Sequence, residues 1–227
     1  MKLRAEGISR NFFRKGKNTN FFTAVEKTDF ELEQGCLTEI TGHSGSGKTT
    51  FSNMLCGLLT PDSGRVFLGD QSLYELDDRK RSYLRNRYIG IIPQGQTGLH
   101  GLTVLENVML QAEMYGSTPD AREKAVSLLE AAGIGELCEV YSNELSGGEL
   151  RRMAIARAMM NDPPILIADE PTGDLDSETT ALILELFRKY ADSGNAVLMV
   201  THEKEALCHA DRIFCMEKGI LSSVPKK

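Results

Sequence analysis

The sequence predicts an α/β fold: a parallel-sheet core, an N-terminal antiparallel β lobe and a helical subdomain. Three observations carry this expectation. "TDFELEQG" and "GRVFLGD" alternate apolar with polar residues, Phe30 and Leu32 in the first and Val66 and Leu68 in the second, the pattern of a half-exposed antiparallel sheet. "ILIAD" from Ile165 and "AVLMV" from Ala196 are almost wholly apolar, which suits parallel strands covered on both faces. Between those runs, "SETTALILELFRKYADSG" sets Ile183, Leu186, Phe187 and Tyr190 at helical spacing and stops at Gly194, completing a β-α-β unit.

The elements follow in order. After the antiparallel lobe, "TEITGHSGSGKTTF" runs from β-type residues into glycines and then into a helix. "DDRKRSYLRNR", Asp77 to Arg87, reads as a solvated, basic helix face. From Thr103 to Gly135 the pattern is helical: Thr103 caps "TVLENVMLQAEMYG", and Thr118 with Pro119 opens "PDAREKAVSLLEAAG". Ser146 then opens a helix rich in arginine and alanine. Met109, Met114, Met153, Met159, Met160 and Met199 are expected to fill core. No repeat, low-complexity tract or linker interrupts the chain, so residues 1–227 read as a single domain. Within it, 1–93 and 162–227 would form the β lobe and the phosphate-loop core, and 94–161 the helical part.

Composition narrows the function classes. Lys and Arg number 26 against 32 Asp and Glu, a net charge of -6 that lacks the basic surplus of nucleic-acid binders. The five cysteines, Cys36, Cys56, Cys138, Cys208 and Cys215, are odd in number and show no C-x-x-C spacing, so they read as reduced thiols. "MKLRAEGISRNFF" has no apolar signal-peptide core, and no run approaches the ~20 apolar residues of a membrane helix. A soluble protein of the cytosol is expected.

The chemistry begins at Gly42, Gly47, Lys48 and Thr49, which fit G-x-x-x-x-G-K-[ST], with His43, Ser44, Gly45, Ser46 and Thr50 completing the loop. Glycines let backbone N–H groups wrap phosphate oxygens, and the following helix adds its dipole. Lys48 would meet the β- and γ-phosphates and the Thr49 hydroxyl a Mg²⁺ ion, so the loop reads as an ATP or GTP site. Against a mere Gly-rich turn, a chance match in this length is on the order of one per cent. Asp169 and Glu170 end the apolar strand "ILIADE" where ligands meet a parallel sheet. Asp169 would hold the hydration shell of Mg²⁺ and Glu170 would deprotonate the attacking water. Alone they would be two solvated carboxylates; the loop at Gly42 decides for chemistry.

"ELSGGELRRMAIARAM" carries the resemblance. With the phosphate loop at Gly42, Gln94 in "IIPQG", the signature from Leu145, Asp169 and Glu170, Asp176 in "TGDLD" and His202 in "MVTHE", the chain resembles the ATP-binding cassette family, whose signature is LSGGQ. The six motifs stand in family order along essentially the whole chain. The resemblance implies a P-loop NTPase of the cassette type: an ATPase using ATP and Mg²⁺ and pairing with a second copy of itself in an ATP-sandwich dimer. Ser146, Gly147, Gly148 and Glu149 of one copy would cover the nucleotide held by the other. Gln94 would touch Mg²⁺ and the attacking water, His202 the γ-phosphate, and Asp176 would reach across the dimer. An aromatic near the N-terminus normally stacks on adenine; here Phe12, or alternatively Phe13, would do so. His43 and Glu149 depart from the usual pattern without removing a catalytic group.

"GQTGLHGLTVLENV" and "ADEPTGDLD" are most similar to the MacB, LolD and FtsE group of bacterial cassettes. That likeness implies a transmembrane permease partner of the FtsX or MacB type, action on peptides, lipoproteins or antimicrobials, and a place at the cytoplasmic face of a bacterial membrane touched only through the permease. The alternative it leaves open is an FtsE-like ATPase driving a permease-like partner that signals. Soluble cassette proteins of DNA repair or translation fit less well, since they carry long insertions or two cassettes in one chain.

Overall fold

A computed structural model describes residues 1–14, 20–95, 98–114, 116, 120–173, 175–202 and 208–225. The chain forms β1 (Leu3–Arg14), β2 (Asn20–Leu32), β3 (Leu37–Thr41), α1 (Lys48–Leu55), β4 (Ser63–Leu68), β5 (Gln71–Ser72), α2 (Asp78–Tyr88) and β6 (Ile89–Ile92). There follow α3 (Val104–Glu113), α4 (Ala121–Ala131), α5 (Gly147–Met159), β7 (Ile165–Asp169), α6 (Ser177–Asp192), β8 (Ala196–Val200), β9 (Arg212–Glu217) and β10 (Ile220–Val224). Two sheets result: a four-stranded antiparallel one ordered β2-β1-β4-β5, and a six-stranded one ordered β10-β9-β3-β8-β7-β6.

Alternation builds the first sheet. Phe30 and Leu32 on β2, and Val66 and Leu68 on β4, turn into one core with Leu3, Ala5 and Ile8 of β1, while their neighbours face water. In the second sheet every residue of β7 and β8 is buried, and the two strands pair in parallel with α6 connecting them. The edge departs from a wholly parallel core: β10 runs antiparallel to β9. Its cause is a two-residue turn at Lys218 and Gly219, both at positive φ (48° and 83°), which sends the chain straight back and whose twist suits a hairpin.

α1 sits between the sheets. Phe51 on its inner face is fully buried and meets Phe30 of β2 edge to face at 5.3 Å, and Phe30 in turn meets Phe214 of β9 at 5.4 Å. Each such ring contributes roughly 1.5–3 kcal/mol by burial, so the start of α1 is pinned to both sheets. α3, α4 and α5 bury Val104, Val108, Ala125, Leu129, Met153 and Ala156 in a separate cluster. A capping box starts α3, Glu106 N–H donating to Thr103 Oγ1 and Thr103 N–H to Glu106 Oε2. α4 begins after Asp120; Thr118 and Pro119 lie outside the described residues. Met153, Met159, Met160 and Met199 are buried as expected, but Met114 is 67% exposed, because α3 has ended and the chain has left the helical cluster.

One core residue conflicts with its surroundings. Glu39, in the middle of β3, is fully buried between Met199 of β8 and Ile213 of β9, and both its carboxylate oxygens lack a hydrogen-bond partner. It shares the strand face of Leu37, which packs against α6, and burial pushes its carboxyl up to about 7.

Candidate active site

The loop between β3 and α1 is shaped by contacts that only glycine permits. A Cβ on Gly42 would lie 2.2 Å from the carbonyl oxygen of Met216 on β9, and one on Gly47 would lie 2.1 Å from that of Ala24 on β2; Gly47 is also at φ 110°. The loop is thus pressed against both sheets at once. Gly219 N–H donates to Ser46 O at 2.9 Å, and Glu26 N–H to Gly219 O at 2.8 Å, so the β9–β10 turn fastens loop and lobe together. Gly47 is the N-cap of α1 and offers no side-chain cap, which leaves the first amides of the helix directed outward.

Those amides face a cavity of about 250 Å³. Ser44, Gly45, Gly47, Lys48, Thr49 and Thr50 form its floor, and Gln94 and Glu170 stand at one side. Phe12 and Phe22 also line it, their ring centroids 5.9 Å apart, with the Arg10 guanidinium 5.1 Å from the centroid of Phe12. Phe13 turns to the other face of the hairpin, where it meets Phe21 and is 50% exposed. A larger cleft of about 670 Å³ runs along α2 past Leu76, Asp77, Lys80 and Tyr83 and shares no lining residue with this cavity.

Lys48 is buried, its ammonium held by the carbonyls of Gly42 (2.6 Å) and His43 (3.1 Å). His43 itself is exposed and does not line the cavity, while Ser46 is buried with its hydroxyl unpartnered. Asp169 is buried at the end of β7. Burial pushes its carboxyl up, Glu170 pushes with it, and the neighbouring Thr49 hydroxyl, Lys48 and Arg151 pull the other way. Its Oδ1 has no hydrogen-bond partner. An unpartnered buried carboxylate oxygen beside a threonine hydroxyl fits a small hard cation. Among the described residues no cluster of three or more His, Cys, Asp or Glu could cage a metal ion.

Glu170 follows with its backbone in the left-handed region, φ 50°, at a cost of about 1–3 kcal/mol for a non-glycine residue. Its N–H donates to Val200 O at 2.7 Å, fixing that turn to β8. His202, just past β8, brings Nδ1 within 3.1 Å of Glu170 Oε1, so the two residues that end neighbouring parallel strands meet over the sheet. Asp176 caps α6: Oδ1 accepts from Thr179 N–H at 2.9 Å and Oδ2 from Thr179 Oγ1 at 2.8 Å, bonds that hold its carboxyl below the usual range.

Ser146, Gly147, Gly148 and Glu149 do not line the cavity; they form the N-terminus of α5. One turn on, Arg151 is buried and its Nη1 donates to Pro93 O at 2.6 Å, immediately before Gln94. Neither Arg151 nor Phe22 stood out in the sequence. The register of the β1–β2 hairpin, which pairs Phe22 with Phe12, was the signal that could have found the second ring.

Comparison with known proteins agrees with this geometry. Residues 25–173 match the model of the ABC transporter family. Over 96% of its length the chain is 38% identical to the lipoprotein-releasing system ATP-binding protein LolD 2 of Chlorobium chlorochromatii, covering 93% of that protein. It is 36% identical, over 96% of both chains, to the LolD of Treponema denticola. Among solved structures, a dimeric post-hydrolysis state of an ATP-binding cassette bound to ADP and Pi superposes with a TM-score of 0.90 at 29% identity, over 99% of this chain and 100% of that one.

Proposed function

This chain belongs to the ABC transporter family and is an ATP-hydrolysing subunit of that family, and we propose that within it the chain powers a lipoprotein-releasing transporter of the LolD kind. The observation that carries this reading is the near-full-length likeness to LolD proteins of two different bacteria. Its partners are then a permease of the FtsX or MacB type and a second copy of itself; the likeness to a cassette solved as a dimer supports the second. Among the described residues no helix is long and apolar enough to cross a membrane, so any membrane step falls to the permease.

The residue roles belong to the same proposal. Adenine stacks on Phe12, with Phe22 beside it, and the phosphates lie on the amides of the Gly42–Thr49 loop with Lys48 as the fixed positive charge. Thr49, Asp169 and Gln94 would hold Mg²⁺, and the ion would supply neutralisation of the charge gathering on the phosphate oxygens. Glu170 takes a proton from water as its oxygen bonds to the γ-phosphorus and the bond to the β-phosphate oxygen breaks, releasing ADP. His202 steadies that carboxylate and reaches the γ-phosphate. Ser146, Gly147 and Gly148 close the nucleotide of the opposite copy, with Asp176 at the same seam.

Two measurements test this. Glu170→Gln should retain Mg-ATP and lose hydrolysis by roughly 10²–10⁴-fold, accumulating as a dimer in ATP but not in ADP by size exclusion with light scattering; parental turnover would remove Glu170 from its role. Proteoliposomes holding the chain with its permease should release an acylated lipoprotein on ATP hydrolysis. Release of an unacylated peptide alone would overturn the LolD-like reading.

A further inference from the structure

α5 opens with its hydroxyl already committed. Ser146 Oγ donates to Glu149 Oε2 at 2.7 Å, Ser146 N–H donates to the same oxygen at 2.7 Å, and Glu149 N–H reaches back to Ser146 Oγ at 3.4 Å. A serine hydroxyl has one hydrogen to give. Here it goes to a carboxylate of its own chain, in a charge-assisted bond stronger than a neutral one. The pair of bonds to Ser146 holds the Glu149 carboxyl below its ordinary range, so it is ionised at neutral pH. It also lies at the positive end of the α5 dipole, where an incoming anion would gain most.

We propose that Glu149 is an internal competitor of the nucleotide held by the opposite copy: its carboxylate occupies the serine hydroxyl and the helix end that the γ-phosphate must take, and so raises the ATP concentration at which two copies pair. The proposal rests on the sandwich dimer of the preceding section and deepens it. For Ser146 to turn its hydrogen to a phosphate, the bond to Glu149 Oε2 has to break, and the freed carboxylate then stands near a like charge. A glutamine at this position would still accept the Ser146 N–H through its amide oxygen and keep the helix capped, but it would bring no charge. The arrangement makes pairing a threshold response to ATP and not an automatic consequence of occupancy.

The test compares two chains that cannot turn over, Glu170→Gln and Glu170→Gln/Glu149→Gln, titrated with Mg-ATP and followed by light scattering. The double variant should pair at about tenfold lower ATP, the scale on which a charge-assisted hydrogen bond differs from a neutral one, while its binding of a fluorescent ATP analogue as a monomer is unchanged. High salt should narrow the gap, because exposed like charges are screened. Glu149→Ala in the same background, which loses the carboxylate and the bond it accepts from Ser146 N–H while the Ser146 cap on the Glu149 N–H remains, should melt lower yet still pair at lower ATP; this separates the charge from the stability of α5. Pairing of both charge-free variants at the same or higher ATP than Glu170→Gln overturns the proposal and leaves the dimer standing. If no variant pairs in saturating Mg-ATP, the sandwich reading fails and the competitor with it.

Discussion

Replacing Glu39 by glutamine should stabilise the protein strongly at pH 8, by less than about 1 kcal/mol at about pH 5, and leave it unchanged well below the ordinary carboxylate range. The carboxyl is fully buried on β3, both oxygens lack partners, and burial pushes it from an ordinary 4.5 to about 7. The folded chain therefore keeps a proton on Glu39 that the unfolded chain releases near pH 4.5. Between those two values the native state binds more protons than the unfolded one, so this residue's contribution falls as pH rises and is lowest above pH 7. At about 1.4 kcal/mol per pH unit, the full cost is about 3 kcal/mol at pH 8. Glutamine mimics the protonated acid in size and charge and should abolish the pH dependence from this site. For a chain of this length about 3 kcal/mol is roughly 6–12 °C in melting temperature. Thermal unfolding of parent and Glu39→Gln from about pH 5 to about pH 8.5 reads it directly: the curves should lie close together at the acid end, separate steadily as pH rises and run parallel above about pH 7. A variant that is no more stable at pH 8, or that gains equally at both ends, would refute the reasoning.

Other outcomes are expected at the candidate site. Lys48→Ala should weaken ATP binding by roughly 10–100-fold, the worth of hydrogen bonds to a charged group, in a fluorescent-nucleotide titration. Phe12→Ala should cost about 1–3 kcal/mol of binding, as lost base stacking does, whereas Phe13→Ala, on the far face of the hairpin, should cost nothing measurable in the same assay. Arg151→Met should free the Pro93 carbonyl and slow turnover with little change in KM, since it acts through the chain before Gln94; Arg151→Lys should recover part of kcat.

Much of this was legible because local sequence and tertiary structure agree. The apolar runs at Ile165 and Ala196 are short and unbroken, and both became fully buried parallel strands; Thr103 with Glu106 three residues on formed the capping box that its spacing implies. What escaped was set by neighbours distant in sequence. Glu39 looks like an ordinary polar strand residue until β8, β9 and α6 close over it. Phe22 reads as one more strand aromatic until hairpin register sets it beside Phe12. Arg151 sits in a helix whose arginines look alike in sequence, and only the packing of α5 against β6 selects the one that reaches Pro93. Met114 went the other way: helical spacing extends past Glu113, but the helix does not.

The fastening of the phosphate loop by the β9–β10 turn has a consequence for the newborn chain. The loop backbone is held on one side by Ala24, made before it, and on the other by Met216 and Gly219, made about 170 residues after the loop itself. At ribosomal rates of about 5–20 residues per second, the finished loop waits roughly ten to thirty seconds for its second wall. β3 waits as long for β9, its neighbour in the sheet. A nascent chain halted before Met216 would hold every residue of the G-x-x-x-x-G-K-[ST] motif and still lack the surface that gives the motif its shape, so nucleotide capture belongs to the end of synthesis and not to the moment the motif emerges.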